Sequence, residues 1–124
     1  MLTNKKVKAF VITTNAQESK KFYSDNLGFK FLSEDPYGLE FELNNALLRI
    51  SIVPEYTPQK HTVLGWNVPD LYKEIDFLKN KGIVFEEYDF LQQDESGVWT
   101  APDGTRIAWF KDPCGNLLSI DDKN

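Results

Sequence analysis

The first alternating stretch of the chain, residues 7–13, is apolar and β-branched, which predicts a strand. A strand has a side-chain period of two, so Lys8, Phe10 and Ile12 should share one face. The same criteria predict three more strands in the first half of the chain, within residues 29–33, 39–43 and 46–53.

A helix is expected between the first two strands, from about residue 16 to residue 26. Asn15 followed by Glu18 is typical of a helix start, because an Asn side chain can accept an early backbone N–H. Gly28 supplies the left-handed residue that commonly follows a helix. The first half therefore reads as strand, helix and three strands.

The second half repeats this order. Residues 62–68 favour a strand, and Asp70 is a predicted helix cap. Leu71, Ile75 and Leu78 form an amphipathic stripe, and Gly82 should end the helix. The strands expected after it lie within residues 83–88, 98–101, 105–111 and 117–120.

An internal duplication explains this repeat, with module 1 at about residues 6–55 and module 2 at about 61–121 of a single domain, residues 1–124. The predicted fold is α+β, with two βαβββ modules whose curved mixed sheets form one cup and whose helices lie outside. The inner face of such a cup is the default binding site.

Charge and composition restrict the kinds of partner that the chain is expected to bind. The net charge of −5 disfavours nucleic acid, which requires clustered Lys and Arg. No apolar stretch approaches the roughly 20 residues of a membrane span, so no membrane partner is expected. The lone Cys114 cannot form an internal disulfide, which favours the cytoplasm. Aromatic residues make up 14% of the chain, which suits a β-rich protein that lines a pocket.

Two motifs carry a family resemblance over nearly the whole chain. Residues 22–29, Phe-Tyr-Ser-Asp-Asn-Leu-Gly-Phe, and residues 112–116, Asp-Pro-Cys-Gly-Asn, resemble hallmark segments of the vicinal oxygen chelate superfamily, which contains glyoxalases, bleomycin-resistance proteins and extradiol dioxygenases. The resemblance implies a small organic molecule as partner and a homodimer.

Metal-dependent enzymes of that superfamily hold one divalent ion through His and Glu side chains on the first and last strands of each module. Spacing from the two motifs places these positions on residues that are poor ligands: Lys8, Arg49 (or Ser51 after a two-residue slip), Val63 and Ser119. His61 is the sole histidine, and one imidazole does not make a site. The sequence therefore predicts no metal and no other cofactor.

Two cations, Lys8 and Arg49, should instead point into the cup and could attract an anionic group. Alternatively they lean out to solvent or pair with Glu40 or Glu42. Trp109 could stack a flat ligand, or pack in the core. The predicted cup is lined by Lys8, Phe10, Arg49, Ser51, Val63, Trp109 and Ser119, with His61 and Trp99 at its rim.

The expected function is metal-free enclosure of a small anionic or aromatic molecule, similar to the bleomycin-resistance branch and of a sequestering or resistance type. One alternative is a glyoxalase-like lyase, thiol transferase or dioxygenase with an atypical metal site. Others are an isomerase that uses Lys8 or His61 as base, and a module that assembles with a partner. Fold alone does not choose among them.

Overall fold

Two four-stranded sheets make up the fold in a computed structural model that describes all 124 residues. The chain divides into two units, Met1–Pro58 and Gln59–Asn124, and each has the order strand, helix, three strands. The first contains β1 (Val7–Thr13), α1 (Ala16–Lys21), β2 (Lys30–Asp35), β3 (Gly38–Leu43) and β4 (Ala46–Ile52). The second contains β5 (Thr62–Asn67), α2 (Leu71–Asn80), β6 (Trp99–Thr100), β7 (Arg106–Lys111) and β8 (Leu117–Asp121). The α+β class and the two βαβββ modules are confirmed.

Both sheets have the same topology. The strand orders are β1-β4-β3-β2 and β5-β8-β7-β6, so the first and last strands of each module lie side by side. These pairs, β1 with β4 and β5 with β8, are parallel, and the remaining pairs are antiparallel. No helix has the length and apolar character that a membrane crossing requires.

Both helices begin at the predicted residues. The Asn15 side chain accepts the backbone N–H of Glu18 at 3.0 Å, and the Asp70 side chain accepts that of Lys73 at 3.2 Å. Each bond satisfies a backbone donor that has no partner within the helix. The predicted caps are confirmed.

The end of the first helix differs from the expectation in geometry. Regular α-helix stops at Lys21, and a π-helical turn, Phe22–Asn26, continues it. The N–H of Leu27 bonds to the carbonyl of Phe22 at 3.0 Å. Gly28 then takes a φ of +77°, the left-handed conformation for which glycine was expected there.

Each unit has its own aromatic core on one face of its sheet. In the first, Tyr23 lies with its ring 6.0 Å from that of Phe41, and both are fully buried. In the second, Trp66 stacks on Phe110 with ring centroids 6.5 Å apart. The other fully buried core residues of the two sheets are Leu39, Leu48, Ile50, Ala108 and Leu118.

The predicted strand at residues 83–88 is wrong. Only an isolated bridge forms there, between Phe85 and Phe110, and β6 pairs with the other end of the same edge of β7 through Trp99 and Ile107. Because two segments share one short edge, neither extends into a long strand. Residues 83–98 instead form a mostly irregular segment between α2 and β6.

Candidate functional site

The predicted site residues of module 1 lie on one face of its sheet. In the parallel register of β1 and β4, Phe10 lies opposite Arg49, and Ser51 lies opposite Ile12. Lys8 is two residues from Phe10 and so lies on the same face. Phe10 is 58% exposed, whereas the alternate residues Val11 and Ile50 are buried on the other face.

The two cations on this face are paired with acids. The Lys8 ammonium lies 3.1 Å from Glu40, and the Arg49 guanidinium donates to the same Glu40 oxygen at 3.0 Å. Arg49 also donates to both oxygens of Asp35 at 3.2 Å. We call Lys8, Asp35, Glu40 and Arg49 the charged network.

The charged network shifts the pKa of its members in the directions that pairing demands. The hydrogen bond from Lys8, aided by that from Arg49, lowers the pKa of Glu40. The backbone N–H of Tyr37 and then Arg49 lower the pKa of Asp35. The hydrogen bond to Glu40 is the largest cause that raises the pKa of Arg49.

Of the alternatives that the sequence left open for Lys8 and Arg49, the structure shows pairing with an acid, Glu40. Two cations and two carboxylates leave the network without net charge, as the sequence alternative of pairing with Glu40 allowed. Local geometry supports this arrangement, because a Cβ on Gly38 would lie 2.8 Å from the guanidinium carbon of Arg49. Only a glycine leaves the guanidinium room to lie against β3.

In module 2, one row across the sheet joins Trp109 of β7, Ser119 of β8 and Gly65 of β5. Ser119 is 9% exposed, and its hydroxyl lies 2.9 Å from where a Cβ on Gly65 would be. Val63 lies at a bulge in β5, where Thr62 pairs with Leu117. The position on the face of Ser119 that the sequence predicted for Val63 is thus occupied by Thr62 and Gly65.

A cavity of about 190 Å³ opens next to this row. Its aromatic wall brings Trp109 together with Tyr88 and Phe90. The Tyr88 ring lies edge-on to Trp109 with centroids 5.9 Å apart, and 5.4 Å from Phe90. We call this space the aromatic cavity; its remaining lining residues are Lys60, His61, Thr62, Leu91 and Leu117.

The sequence named two lining residues of the aromatic cavity, Trp109 and His61, among its site residues. Trp99 does not line it, but its ring lies 6.3 Å from that of Trp109. Phe90 and Leu91 were missed, because they lie in an irregular segment without periodicity. Burial, followed by the nearby Glu86 carboxylate, raises the pKa of Tyr88.

The side chains at the predicted ligand positions do not fit a divalent metal. Lys8 and Arg49 are cationic and already paired with acids, and Ser119 offers one weak oxygen. No group of three or more His, Cys, Asp or Glu side chains is arranged to hold a metal ion. We therefore assign no chemical step to a metal.

The motif residues at 112–116 have a structural role. Asp112, which is 5% exposed, accepts the backbone N–H groups of Cys114 and Asn116 at 3.0 and 2.9 Å. It also accepts the Asn116 side-chain amide at 2.7 Å. This turn connects β7 to β8 and so fixes Trp109 relative to Ser119.

Comparisons with known proteins agree with this fold. Residues 7–120 match the family model of the Glyoxalase/Bleomycin resistance protein/Dioxygenase superfamily. No curated protein matches the sequence.

Several solved structures resemble the chain. A superfamily member from Sphaerobacter thermophilus has a TM-score of 0.74 at 17% identity, over 99% of this chain and 100% of that one. A glyoxalase family protein from Enterococcus faecalis has a TM-score of 0.70 at 24% identity, over 98% of this chain and 100% of that one. Lactoylglutathione lyase from Agrobacterium tumefaciens has a TM-score of 0.70 at 14% identity, over 96% of this chain and 93% of that one. At these identities the likeness shows the fold alone.

Proposed function

The chain belongs to the glyoxalase/bleomycin resistance protein/dioxygenase superfamily, and from this premise we propose that it binds a small aromatic molecule in the aromatic cavity without a metal ion. The observation that carries the proposal is the convergence of Tyr88, Phe90 and Trp109 on one cavity. Concave sites with apolar and aromatic walls and a few polar groups are the usual form of small-molecule sites.

The shape of the wall favours a flat ligand. Aromatic rings attract one another through edge-to-face and offset stacked contacts, and Tyr88 and Trp109 already meet edge-on. Leu91 and Leu117 add apolar contact at the sides. A ligand ring that displaces water from these side chains gains hydrophobic free energy as well as ring contacts.

The polar part of the cavity favours an acidic substituent on that ligand. Lys60 and His61 line it, and its lining residues include no carboxylate. The charged network of module 1 is neutral by comparison, since Lys8 and Arg49 have acidic partners. An anionic group is therefore better accommodated beside Lys60 than beside Arg49.

The proposal is tested with 2-naphthoate, a bicyclic aromatic acid, by isothermal titration in excess EDTA. We expect saturable binding of one molecule per chain, and weaker binding of both neutral 2-naphthamide and the saturated decalin carboxylate. Equal affinity for the saturated and the aromatic acid would contradict an aromatic site. Binding that requires added divalent metal would contradict the metal-free site.

A second candidate is an enzyme that uses His61 as a general base, because His61 lines the same cavity. Incubation of the ligand with protein in D₂O separates the two functions. A sequestering, resistance-type protein returns the ligand unchanged, whereas an enzyme exchanges a proton or releases a product. His61→Gln should abolish any such turnover. The alternative from the sequence, a glyoxalase-like lyase, thiol transferase or dioxygenase with an atypical metal site, would instead show a stoichiometric divalent ion by elemental analysis.

The homodimer and the cytoplasmic location remain predictions. Sedimentation velocity over a hundredfold range of protein concentration would show the dimer as a concentration-dependent increase in mass.

A further inference from the structure

The aromatic wall depends on a segment with little regular backbone pairing. Between α2 and β6, the only strand-like pairs are the isolated bridges at Phe85 and at Gln93, which pair with Phe110 and Trp99. Tyr88, Phe90 and Leu91 lie between these two bridges. Segments with few backbone hydrogen bonds open more readily, so another interaction must hold the wall in place.

The Gln93 side chain supplies that interaction. Its oxygen accepts the backbone N–H of Tyr88 at 2.7 Å. Its amide nitrogen donates to the carbonyl of Glu86 at 3.1 Å and to that of Gly97 at 2.8 Å. The Gln93 side chain thereby joins the first part of the segment, at Glu86 and Tyr88, to its last part at Gly97.

Backbone hydrogen bonds extend from the residues that Gln93 contacts to the turn at Leu91 and to Trp109. The N–H of Leu91 bonds to the carbonyl of Tyr88 at 3.1 Å, which closes a turn that begins at the residue Gln93 holds. Glu86 in turn donates its N–H to the carbonyl of Trp109 at 2.8 Å. A continuous chain of hydrogen bonds therefore links the Trp109 backbone to Gln93 and to Tyr88.

The chemistry of the three bonds selects an amide. The Gln93 side chain accepts one hydrogen bond and donates two. Among side chains long enough to reach these partners, only glutamine has both an acceptor and a donor on one neutral group. A carboxylate could accept from Tyr88 but would face the carbonyls of Glu86 and Gly97 without a proton to donate. The assignment of oxygen and nitrogen follows from these three partners.

We propose that Gln93 is the positioning residue of the aromatic cavity: it holds Tyr88 and the turn that follows against Trp109, without contact with the ligand. Its link to ligand affinity rests on the proposed function, whereas its effect on the geometry of Tyr88 does not. Asp94 assists by accepting the N–H groups of Ser96 and Val98, both at 2.9 Å.

The test compares Gln93→Ala and Gln93→Glu with Gln92→Ala, a matched control at the exposed neighbouring residue. In the free protein, amide hydrogen exchange of Tyr88 should become about ten- to hundredfold faster in both Gln93 variants, because its hydrogen bond is lost or strained. Amides of β8 should keep their exchange rates, which separates local positioning from a general loss of stability. The near-ultraviolet circular dichroism from the Tyr88 and Trp109 rings should decrease.

Affinity for 2-naphthoate should fall about five- to fiftyfold in the two Gln93 variants and stay within twofold in Gln92→Ala. Unchanged exchange at Tyr88 in Gln93→Ala would overturn the inference, whatever the affinities. Equal loss of protection at Tyr88 and throughout β8 would overturn it too, since that result describes general destabilisation. Failure of the wild-type protein to bind 2-naphthoate would refute the proposed function and leave the exchange experiment as the test of Gln93.

Discussion

Replacement of Trp109 tests how much of the binding free energy comes from its ring. The indole lines the aromatic cavity and meets Tyr88 and Trp99 at 5.9 and 6.3 Å. If a ligand ring covers about 60 Å² of it, the hydrophobic contribution is about 1.5 kcal/mol. Ring-to-ring geometry adds about 0.5–1.5 kcal/mol.

Trp109→Ala removes both contributions, about 2–3 kcal/mol, and should raise the Kd for 2-naphthoate about 30- to 150-fold. Trp109→Leu keeps most of the apolar contact and loses the ring geometry, so we expect an increase of about 2- to 12-fold. Isothermal titration measures both values, with circular dichroism to verify that each variant is folded.

The matched control is Trp66→Leu. Trp66 stacks on Phe110, on the opposite face of the same sheet, so its loss should lower the melting temperature without changing the Kd. If Trp66→Leu and Trp109→Ala weaken binding equally, the effect is one of stability and the placement of the ligand beside Trp109 is refuted. Full affinity in Trp109→Ala would refute it as well.

The remaining predictions concern the charged network and the turn before β8. Arg49→Met should lower the melting temperature at pH 7 and leave it unchanged near pH 2, because the lowered pKa values of Glu40 and Asp35 give stability that is present above their ordinary values of 4.5 and 3.8 and is lost as pH falls through the folded values. Thermal melts from pH 7 to pH 2 test this, and an equal difference at both ends would contradict it. Lys8→Ala should leave 2-naphthoate affinity within twofold by isothermal titration, whereas a large loss would place the ligand on module 1. Asp112→Ala should cost about 1–3 kcal/mol of unfolding free energy by urea titration, because it leaves buried donors unpaired, and Asp76→Ala, at an exposed site, should not.

Local signals in the sequence predicted much of the fold. Asn15 and Asp70 cap their helices because their short side chains reach the first-turn backbone donors, which depends on nearby residues only. The shared facing of Lys8 and Phe10 followed from the two-residue period of a strand. These features need no knowledge of distant parts of the chain.

Features that depend on tertiary pairing were either missed or left as open alternatives. Residues 83–88 have the composition of a strand, yet the edge of β7 that they would occupy is shared with β6. The partners of Lys8 and Arg49 lie 32 and 9 residues away in sequence, so whether they meet acid or solvent depends on the strand register. Phe90 and Gln93 lie in a segment whose conformation is set by side-chain hydrogen bonds rather than by periodicity.

The most direct test of a metal-free aromatic site in module 2 is a ¹⁵N-¹H correlation titration of EDTA-treated protein with 2-naphthoate. The account predicts saturable shifts at the Trp109 indole N–H and at the backbone amides of Thr62 and Tyr88, with the amides of Phe10 and Arg49 unchanged. Shifts centred on Phe10 and Arg49, or no shifts until a divalent metal is added, would contradict it.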